Sequence, residues 1–310
     1  MADFDRPALV QFAQDSISRG SKSFRFASRL FDRITRERVW LLYAWCRKCD
    51  DMADGQDHGG AMAAVTDPQE SLAAIRTLTA KALAGIPTGE PAFDCLGVVA
   101  RECGITARMA EDVIEGFALD AADWHPRRES DLYQYCYHVA GAVGVMMAVV
   151  MGVPADDDAT LDRACDLGLA FQLANIARDI AEDDAAGRCY LPDDWLATLD
   201  IAPGEHMKPH NRKKLALMGR WLADEAEQYE ASARVGAAHL PLRARWAVLS
   251  AAGIYGEIAR KVRAADSHAW DQRIFTSRPE KFRWVRKAFV DAIANNPRDT
   301  NRDMLWTRVR

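Results

Sequence analysis

Apolar residues recur at a spacing of three to four positions along almost the whole chain of 310 residues. This periodicity, with Gly, Pro or Asp at the breaks, predicts helices and few strands. The predicted helices cover 6–18, 35–54, 68–84, 90–103, 106–121, 129–151, 158–184, 209–237, 241–267 and 279–295. The polar loops at 55–67 and 199–210 are too short for linkers, so we expect one all-α domain over 1–310.

The helix predicted over 129–151 reads ESDLYQYCYHVAGAVGVMMAVVM, with a polar start followed by an apolar half. A helix that is apolar on most sides is buried. Its small residues Gly141 and Gly144 permit either close helix packing or space for an apolar ligand. The sequence leaves both alternatives open.

Composition narrows the class of protein. The chain is 49% hydrophobic and 27% charged, which is typical of a soluble globular protein. Its net charge of −5 gives no basic footprint for nucleic acid. No apolar run is long enough to span a bilayer, and the N-terminus lacks the pattern of a signal peptide. We therefore expect a cytoplasmic protein whose seven cysteines are reduced.

The stretch YAWCRKCDDMADGQD at 43–57 contains a C-x-x-C pair and three aspartates. Cys46 and Cys49 have a spacing known from zinc and thiol-redox sites. A structural zinc site needs four ligands, and no second C-x-x-C pair exists in the chain. The better interpretation is that both cysteines pack the helix.

Asp50 and Asp54 are four residues apart, so a helix places them on one face, where like charges repel. A divalent cation or nearby basic residues would compensate. With 45 acidic residues in the chain, roughly six such pairs are expected by chance. This pair alone could equally be a solvated helix face.

A second polar cluster strengthens the metal hypothesis. The stretch FQLANIARDIAEDD places Asn175, Asp179 and Asp183 at steps of four on a largely apolar helix. Carboxylates on such a helix are costly to bury unless they are paired or bind a metal. Hard oxygen ligands suit Mg²⁺, which commonly bridges protein carboxylates to phosphates. Arg47 and Arg178 are candidate cations for a diphosphate, although each could instead form a surface salt bridge.

Several ordered motifs together resemble the squalene/phytoene synthase family of trans-isoprenyl diphosphate synthases, in particular its bacterial phytoene-forming members. The matching segments are GSKSF at 20–24, LYAWCRKCDDMAD at 42–54, EGFALD at 115–120, YCYHVAGAVG at 135–144, LGLAFQLANIARDIAEDDAAGRCYLP at 167–192 and WDQR at 270–273. The resemblance extends over most of the chain.

The resemblance implies a single-domain isoprenoid synthase fold, in which helices surround a deep apolar cavity and two aspartate-rich helices face each other at its mouth. It also implies a prenyltransferase that condenses two geranylgeranyl diphosphates head to head (1'-1). The reaction passes through prephytoene diphosphate to phytoene and releases diphosphate, as part of carotenoid and isoprenoid biosynthesis. Ionisation of the diphosphate, followed by attack of the second chain, would be stabilised mainly by electrostatics and positioning.

The resemblance also assigns residues. The metal ligands would be Asp50, Asp54, Asn175, Asp179 and Asp183, and catalysis would depend on Asp50, Asp54, Asp179 and Asp183 together with Tyr43 and Arg47. The diphosphate-binding residues would be Ser21, Lys22, Ser23, Tyr43, Arg47, Arg178, Tyr190, Tyr255 and Arg273. The prenyl cavity would be lined by Phe24, Tyr135, Val139, Val143, Met147, Leu167, Phe171 and Gln172.

Alternatives remain at this point. One is a dehydrosqualene or squalene synthase acting on farnesyl diphosphate, and another is a noncatalytic helical interaction protein that retains the fold. The expected cofactor is Mg²⁺, for which Mn²⁺ could substitute, and no NADPH is expected. Because the hydrocarbon product is apolar, we hypothesise peripheral contact with a membrane for its delivery.

Overall fold

In the computed structural model, the described residues are 5–20, 27–122 without 55–67, 124–298 and 300–309, with Asp54 described through its backbone alone. These residues form helices joined by loops, and no strand occurs among them, so the all-α prediction is confirmed. The helices are α1 Arg6–Gly20, α2 Arg33–Asp54, α3 Pro68–Leu83, α4 Pro91–Cys103, α5 Ala107–Ala121, α6 Glu129–Cys136, α7 Ala142–Val150, α8 Asp158–Ala185, α9 Asp193–Thr198, α10 Arg212–Ala237, α11 Leu242–Ala265 and α12 Arg278–Ala294.

Every predicted helix has a counterpart whose ends lie within three residues of the prediction. The sequence missed α9, because its six residues are too few to show a helical period. The prediction assigned the short 3₁₀ turn Pro209–Asn211, and the first two residues of the turn Asp266–His268, to the neighbouring helices. Asp266 has a positive φ of 51°, so the regular helix α11 ends just before it.

The helix predicted over 129–151 is interrupted. Tyr137–Gly141 form a π-helical turn between α6 and α7, so the prediction of one regular helix is wrong at its centre. A π turn inserts an extra residue and rotates the side chains that follow it. No feature of hydrophobic periodicity signals such a turn. Turns of this kind occur frequently at functional sites.

The glycines of this region bring two helical segments into backbone contact. A Cβ on Gly144 would lie 2.5 Å from the carbonyl oxygen of Ala164, and one on Gly168 would lie 2.6 Å from the Cα of Gly141. Only hydrogen fits at either position. At these glycines the structure therefore favours close packing, which was one of the two alternatives left open by the sequence.

The contacts divide the chain into two compact units, Met1–Ala122 with Val145–Leu161 and Asp123–Gly144 with Asp162–Arg310. The single-domain prediction over 1–310 stays a prediction. In the first unit α2 packs on α1 and α4, and the fully buried Trp45 donates a hydrogen bond to Thr79 at 3.3 Å. This core fixes the helix that carries Asp50.

The end of the chain is attached to α8 in the second unit through buried charges. Asp166 is 0% exposed and accepts hydrogen bonds from Nε and Nη2 of Arg302, both at 2.7 Å, and from the Ser232 hydroxyl at 2.5 Å. Nearby, Arg308 donates to the buried Asp162 at 2.8 Å. A buried charge without its partner is strongly destabilising, so these arginines hold α8 in place.

Arg302→Met is expected to lower the free energy of unfolding by about 3–5 kcal/mol, because Asp166 would stay buried without its cation. Urea denaturation followed by circular dichroism measures this loss. Arg298→Met is the control, since Arg298 is exposed and lies on the same segment; it should change the free energy of unfolding by no more than about 0.5 kcal/mol. Equal effects of the two substitutions would contradict the structural role of the Arg302–Asp166 pair.

Candidate functional site

One side of α8 carries a row of oxygen-bearing side chains. Asn175, Asp179 and Asp183 are each partly buried, whereas Leu173 and Ile180 on other sides of the helix are fully buried in the core. The apolar positions orient the helix, so the polar row lies where solvent and a ligand can reach it. The sequence-predicted spacing of four residues is retained, because this part of α8 is regular.

Asp179 lies between two arginines. Its carboxylate accepts a hydrogen bond from Nε of Arg178 at 2.7 Å, with a second bond from Nη2, and forms an ion pair with Nη2 of Arg273 at 3.0 Å. Arg273 also contacts Glu182 at 3.2 Å. The Arg273 side chain is 56% exposed, so its guanidinium remains accessible to an anion.

Asp183 is not neutralised in the same way. Burial, followed by the charge of Asp179 one turn away, raises the pKa of Asp183 to about 6, and Arg188 only partly offsets this effect. Two carboxylates and the amide of Asn175 on one face match the hard oxygen ligands of a divalent cation. Within the described ranges, no three or more His, Cys, Asp and Glu side chains are grouped as a metal site.

Arg47 on α2 joins two aspartates of the first cluster. Its Nη1 lies 2.8 Å from Asp50, and its Nη2 donates to Asp51 at 2.7 Å. Burial acts to lower the pKa of Arg47, but these two carboxylates outweigh burial and the pKa is raised. The Asp51 side chain is only 8% exposed, whereas the Asp50 side chain is 43% exposed. The Asp54 side chain lies outside the described residues.

The cysteines of the C-x-x-C pair are poor candidates for metal or redox chemistry. Burial raises the pKa of Cys46 to about 12 and the pKa of Cys49 well above its usual range. Both thiols are therefore protonated at neutral pH, whereas the thiolate is the metal ligand and the nucleophile. Cys49 is fully buried in the core of the first unit.

Tyr43 lies beside the start of the GSKSF motif. A Cβ on Gly20, the last residue of α1, would collide with the Tyr43 hydroxyl, so the glycine allows the chain to pass close to this phenol. Burial raises the pKa of Tyr43, and its hydroxyl therefore stays protonated at neutral pH. The other predicted residues of this motif, Ser21, Lys22, Ser23 and Phe24, fall outside the described residues.

Two aromatic stacks involve predicted site residues of the second unit. Tyr135 stacks on Tyr190 with ring centroids 4.9 Å apart and on Trp124 at 5.1 Å. Phe171 stacks on Tyr255 at 4.3 Å. No sequence motif predicted the contact of Trp124 with Tyr135. Most of the predicted cavity residues are partly exposed on otherwise buried helices, namely Val139, Val143, Met147, Leu167, Phe171 and Gln172.

Trp270 is a positioning residue that the sequence did not identify. Its indole N–H donates to the carbonyl of Ala177 at 3.0 Å, between the positions of Asn175 and Asp179 on α8. The ring packs against Gly219, where a Cβ would lie 3.0 Å away. The contact attaches the loop after α11 to α8 and brings Arg273 to Asp179. The WDQR motif signalled this segment, but not the bond that fixes it.

Each unit therefore contains part of the predicted site. Arg47 and Asp50 lie together in the first unit, and Arg178, Asp179 and Asp183 lie together in the second with Arg273 and Asn175. That the two groups form one metal and diphosphate site stays a prediction.

Comparisons with known proteins identify the family of the chain. A family model described as squalene/phytoene synthase matches residues 17–280. A phytoene synthase of Pseudescherichia vulneris is 46% identical over 307 residues, covering 98% of this chain and 99% of that protein. A 15-cis-phytoene synthase of Pantoea ananas is also 46% identical, with the same coverage of both chains.

A solved structure supports the fold. A dehydrosqualene synthase crystallised with a ligand superposes with a TM-score of 0.81 at 26% identity, covering 94% of this chain and 98% of that one. The squalene synthase HpnC of Alicyclobacillus acidocaldarius, at 21% identity and a TM-score of 0.74, has the same fold. The family match and the near full-length relatives establish that the chain belongs to the squalene/phytoene synthase family and has the all-α isoprenoid synthase fold.

Proposed function

We propose that this protein is a phytoene synthase, a prenyltransferase that joins two prenyl diphosphates head to head in carotenoid biosynthesis. The observation that carries the proposal is its 44–46% identity to several phytoene synthases over nearly the whole chain. The proposed substrate is geranylgeranyl diphosphate, two molecules of which give phytoene through prephytoene diphosphate with release of diphosphate. We retain the prediction that 1–310 work as a single catalytic domain.

The family requires a divalent metal, and we propose Mg²⁺, with Mn²⁺ as a substitute. Asp50, Asp54, Asn175, Asp179 and Asp183 would hold it. The fit rests on their oxygen donors and on the spacing of Asn175, Asp179 and Asp183 along one side of α8. The pKa of Asp183 is raised by burial and then by the charge of Asp179, and a bound cation would offset both effects. When bound, the metal would supply positive charge that stabilises the leaving diphosphate.

The arginines and Tyr43 are proposed to act on the same leaving group. Arg178 and Arg273 already converge on one carboxylate of α8, and Arg47 on two carboxylates of α2. Guanidinium groups form strong charge-assisted bonds to phosphate oxygens. The protonated hydroxyl of Tyr43 can donate a hydrogen bond there, as can Ser21, Lys22, Ser23, Tyr190 and Tyr255 in their predicted roles.

The two aromatic stacks are suited to stabilising the allylic cation that remains after the diphosphate leaves. An allylic cation is stabilised by the negative face of an aromatic ring, which cannot add to it as water would. Tyr135 with Tyr190, and Phe171 with Tyr255, present such rings. Phe24, Val139, Val143, Met147, Leu167 and Gln172 complete the proposed apolar lining. Exclusion of water from this lining would let proton loss end the reaction as a hydrocarbon instead of an alcohol.

A peripheral membrane contact is proposed for delivery of the apolar product. In the described part of the chain, no helix is both long and apolar enough to cross a membrane. The proposed arrangement is a cytoplasmic enzyme that releases phytoene into a bilayer.

Product analysis tests the proposal. Purified protein is incubated with geranylgeranyl diphosphate and Mg²⁺ without NADPH, and the extracted hydrocarbon is identified against a chelator control. Metal-dependent phytoene is the expected product. If only farnesyl diphosphate gives a product, a thirty-carbon hydrocarbon, the substrate is farnesyl diphosphate. Dependence of that product on NADPH would indicate a squalene synthase. The absence of product from either substrate, with or without NADPH, would favour the noncatalytic alternative.

Substitutions test whether turnover depends on the aspartates or on the cysteines. Asp50→Asn or Asp179→Asn should lower the turnover rate by roughly two to three orders of magnitude, because each removes charge that stabilises the leaving diphosphate. Cys46→Ala with Cys49→Ala should retain most of the turnover. The surface substitution Asp224→Asn is the control for loss of a carboxylate, since Asp224 forms an exposed pair with Arg263. Zinc dependence, with turnover lost only in the cysteine variant, would contradict the assignment.

Arg273→Gln should separate substrate binding from metal binding. We expect KM for the prenyl diphosphate to rise about tenfold, because a charge-assisted bond to phosphate is lost. Binding of Mn²⁺, measured by electron paramagnetic resonance without substrate, should be retained or become tighter, because Asp179 loses a competing cation. Arg220→Gln is the matched control, as Arg220 is similarly exposed and pairs with Asp266. Weaker Mn²⁺ binding with an unchanged KM would contradict this role.

A further inference from the structure

The C-terminal helix α12 presents large apolar side chains to solvent. Phe282, Val290 and Ile293 are 67%, 64% and 59% exposed, and Phe289 is 42% exposed. Positions 282, 289, 290 and 293 are separated by helical steps that place them on one side. We call these four residues the exposed face of α12. Four exposed apolar side chains that lie side by side on a protein surface are typical of an interaction site.

The opposite side of α12 is fixed to α11. Ala288 and Ala292 are buried, the Trp246 indole donates to the carbonyl of Val285 at 2.9 Å, and Arg245 donates to the carbonyl of Ala292 at 2.9 Å. The capping box of Ser277 and Glu280 closes the N-terminal end of the helix. Of the exposed face, Phe289 contacts this packing, since its ring lies edge-on to Trp246 with the centroids 5.0 Å apart. Phe282, Val290 and Ile293 remain largely exposed on a helix that is otherwise packed.

The charge of α12 is opposite to that of the chain. The helix carries five basic residues, Arg278, Lys281, Arg283, Arg286 and Lys287, against Glu280 and Asp291, a net charge of +3 in a chain of −5. Arg286 lies one turn from both Phe282 and Val290, within the exposed face. Neither Arg278 nor Arg286 forms an ion pair with another of the described residues.

We infer that the exposed face of α12 binds the surface of an anionic lipid bilayer. Helices that lie in a membrane interface combine a row of aromatic and aliphatic residues with Lys and Arg on the flanks, and each basic residue adds attraction to anionic lipid. An Arg within the apolar row can extend its guanidinium to the phosphate level while its stem stays apolar. The chemistry of the face thus matches lipid tails and headgroups together.

A second copy of the chain fits this face less well. A two-fold contact would place the same patch on both partners, so the cations of one α12 would lie against those of the other. This lipid contact rests on the peripheral membrane contact of the proposed function, to which it adds the protein surface involved and the charge of the lipid. It does not depend on the identity of the prenyl substrate.

The test measures binding of the full chain to vesicles by flotation. The vesicles consist of phosphatidylcholine alone or of phosphatidylcholine with phosphatidylglycerol. The unaltered chain should bind the anionic vesicles and release as the salt concentration rises. The variant Phe282→Ser, Val290→Ser and Ile293→Ser should reduce the partition coefficient by more than about tenfold, because each substitution removes exposed apolar area.

A second variant tests the charge separately. Arg278→Gln with Arg286→Gln should weaken binding to anionic vesicles by about fivefold for each arginine and leave binding to neutral vesicles unchanged. The controls are Ile34→Ser with Ile86→Ser, which removes exposed apolar residues elsewhere, and Arg19→Gln with Lys213→Gln, which removes the same charge elsewhere. Thermal unfolding by circular dichroism verifies that each variant is folded.

Several results would overturn the inference. These are equal binding by the α12 variants and their controls, equal binding to neutral and anionic vesicles, or no vesicle binding by the unaltered chain. A concentration-dependent dimer lost in the serine variant, without vesicle binding, would assign the face to a second copy. Turnover measured in detergent micelles separates the two proposals: a chain inactive on both prenyl diphosphates but bound through α12 would refute the proposed function alone.

Discussion

The repulsion between partly buried carboxylates on α8 is the constraint on which the candidate site depends. Asp179 and Asp183 lie one turn apart, and the elevated pKa of Asp183, near 6, reflects their burial and mutual charge. Arg178 and Arg273 offset Asp179 and leave Asp183 with little compensation. Such an arrangement lowers the stability of the protein alone, and under the proposed function it would become favourable when a divalent cation and a diphosphate bind.

The remainder of the second unit holds this helix in position. In the first half of α8, Arg302 and Ser232 donate hydrogen bonds to Asp166. Close by, Gly168 allows the backbone of a neighbouring segment to approach. Further along α8, Trp270 donates to the carbonyl of Ala177, near the carboxylates. The first contact is a buried ion pair, the glycine contact depends on the lack of a side chain, and the tryptophan contact is a hydrogen bond to the backbone. Electrostatic preorganisation of this kind is how a site stabilises a leaving group without moving its dipoles during the reaction.

The sequence predicted the helices well, because apolar periodicity reports which face of each helix is buried. It also predicted that Asn175, Asp179 and Asp183 share one side of a helix, because their spacing of four is a local property. The π turn at Tyr137–Gly141 and the short α9 were missed because neither produces a distinct period of apolar residues, and the bond from Trp270 was missed because it joins residues distant in sequence. The burial of Asp51 beside Arg47 likewise depends on packing, which the spacing of residues along the chain does not show.

The central claim is that the acidic residues of α2 and α8 hold metal ions for a prenyl diphosphate. The most direct measurement is a crystal structure with Mn²⁺ and an unreactive thiodiphosphate analogue of the substrate, in which anomalous scattering locates the manganese. The account predicts manganese bonded to Asp50 and Asp54 and to Asn175, Asp179 and Asp183, with the analogue's phosphates on the same ions. Manganese bound elsewhere, or an analogue bound away from both helices, would contradict it.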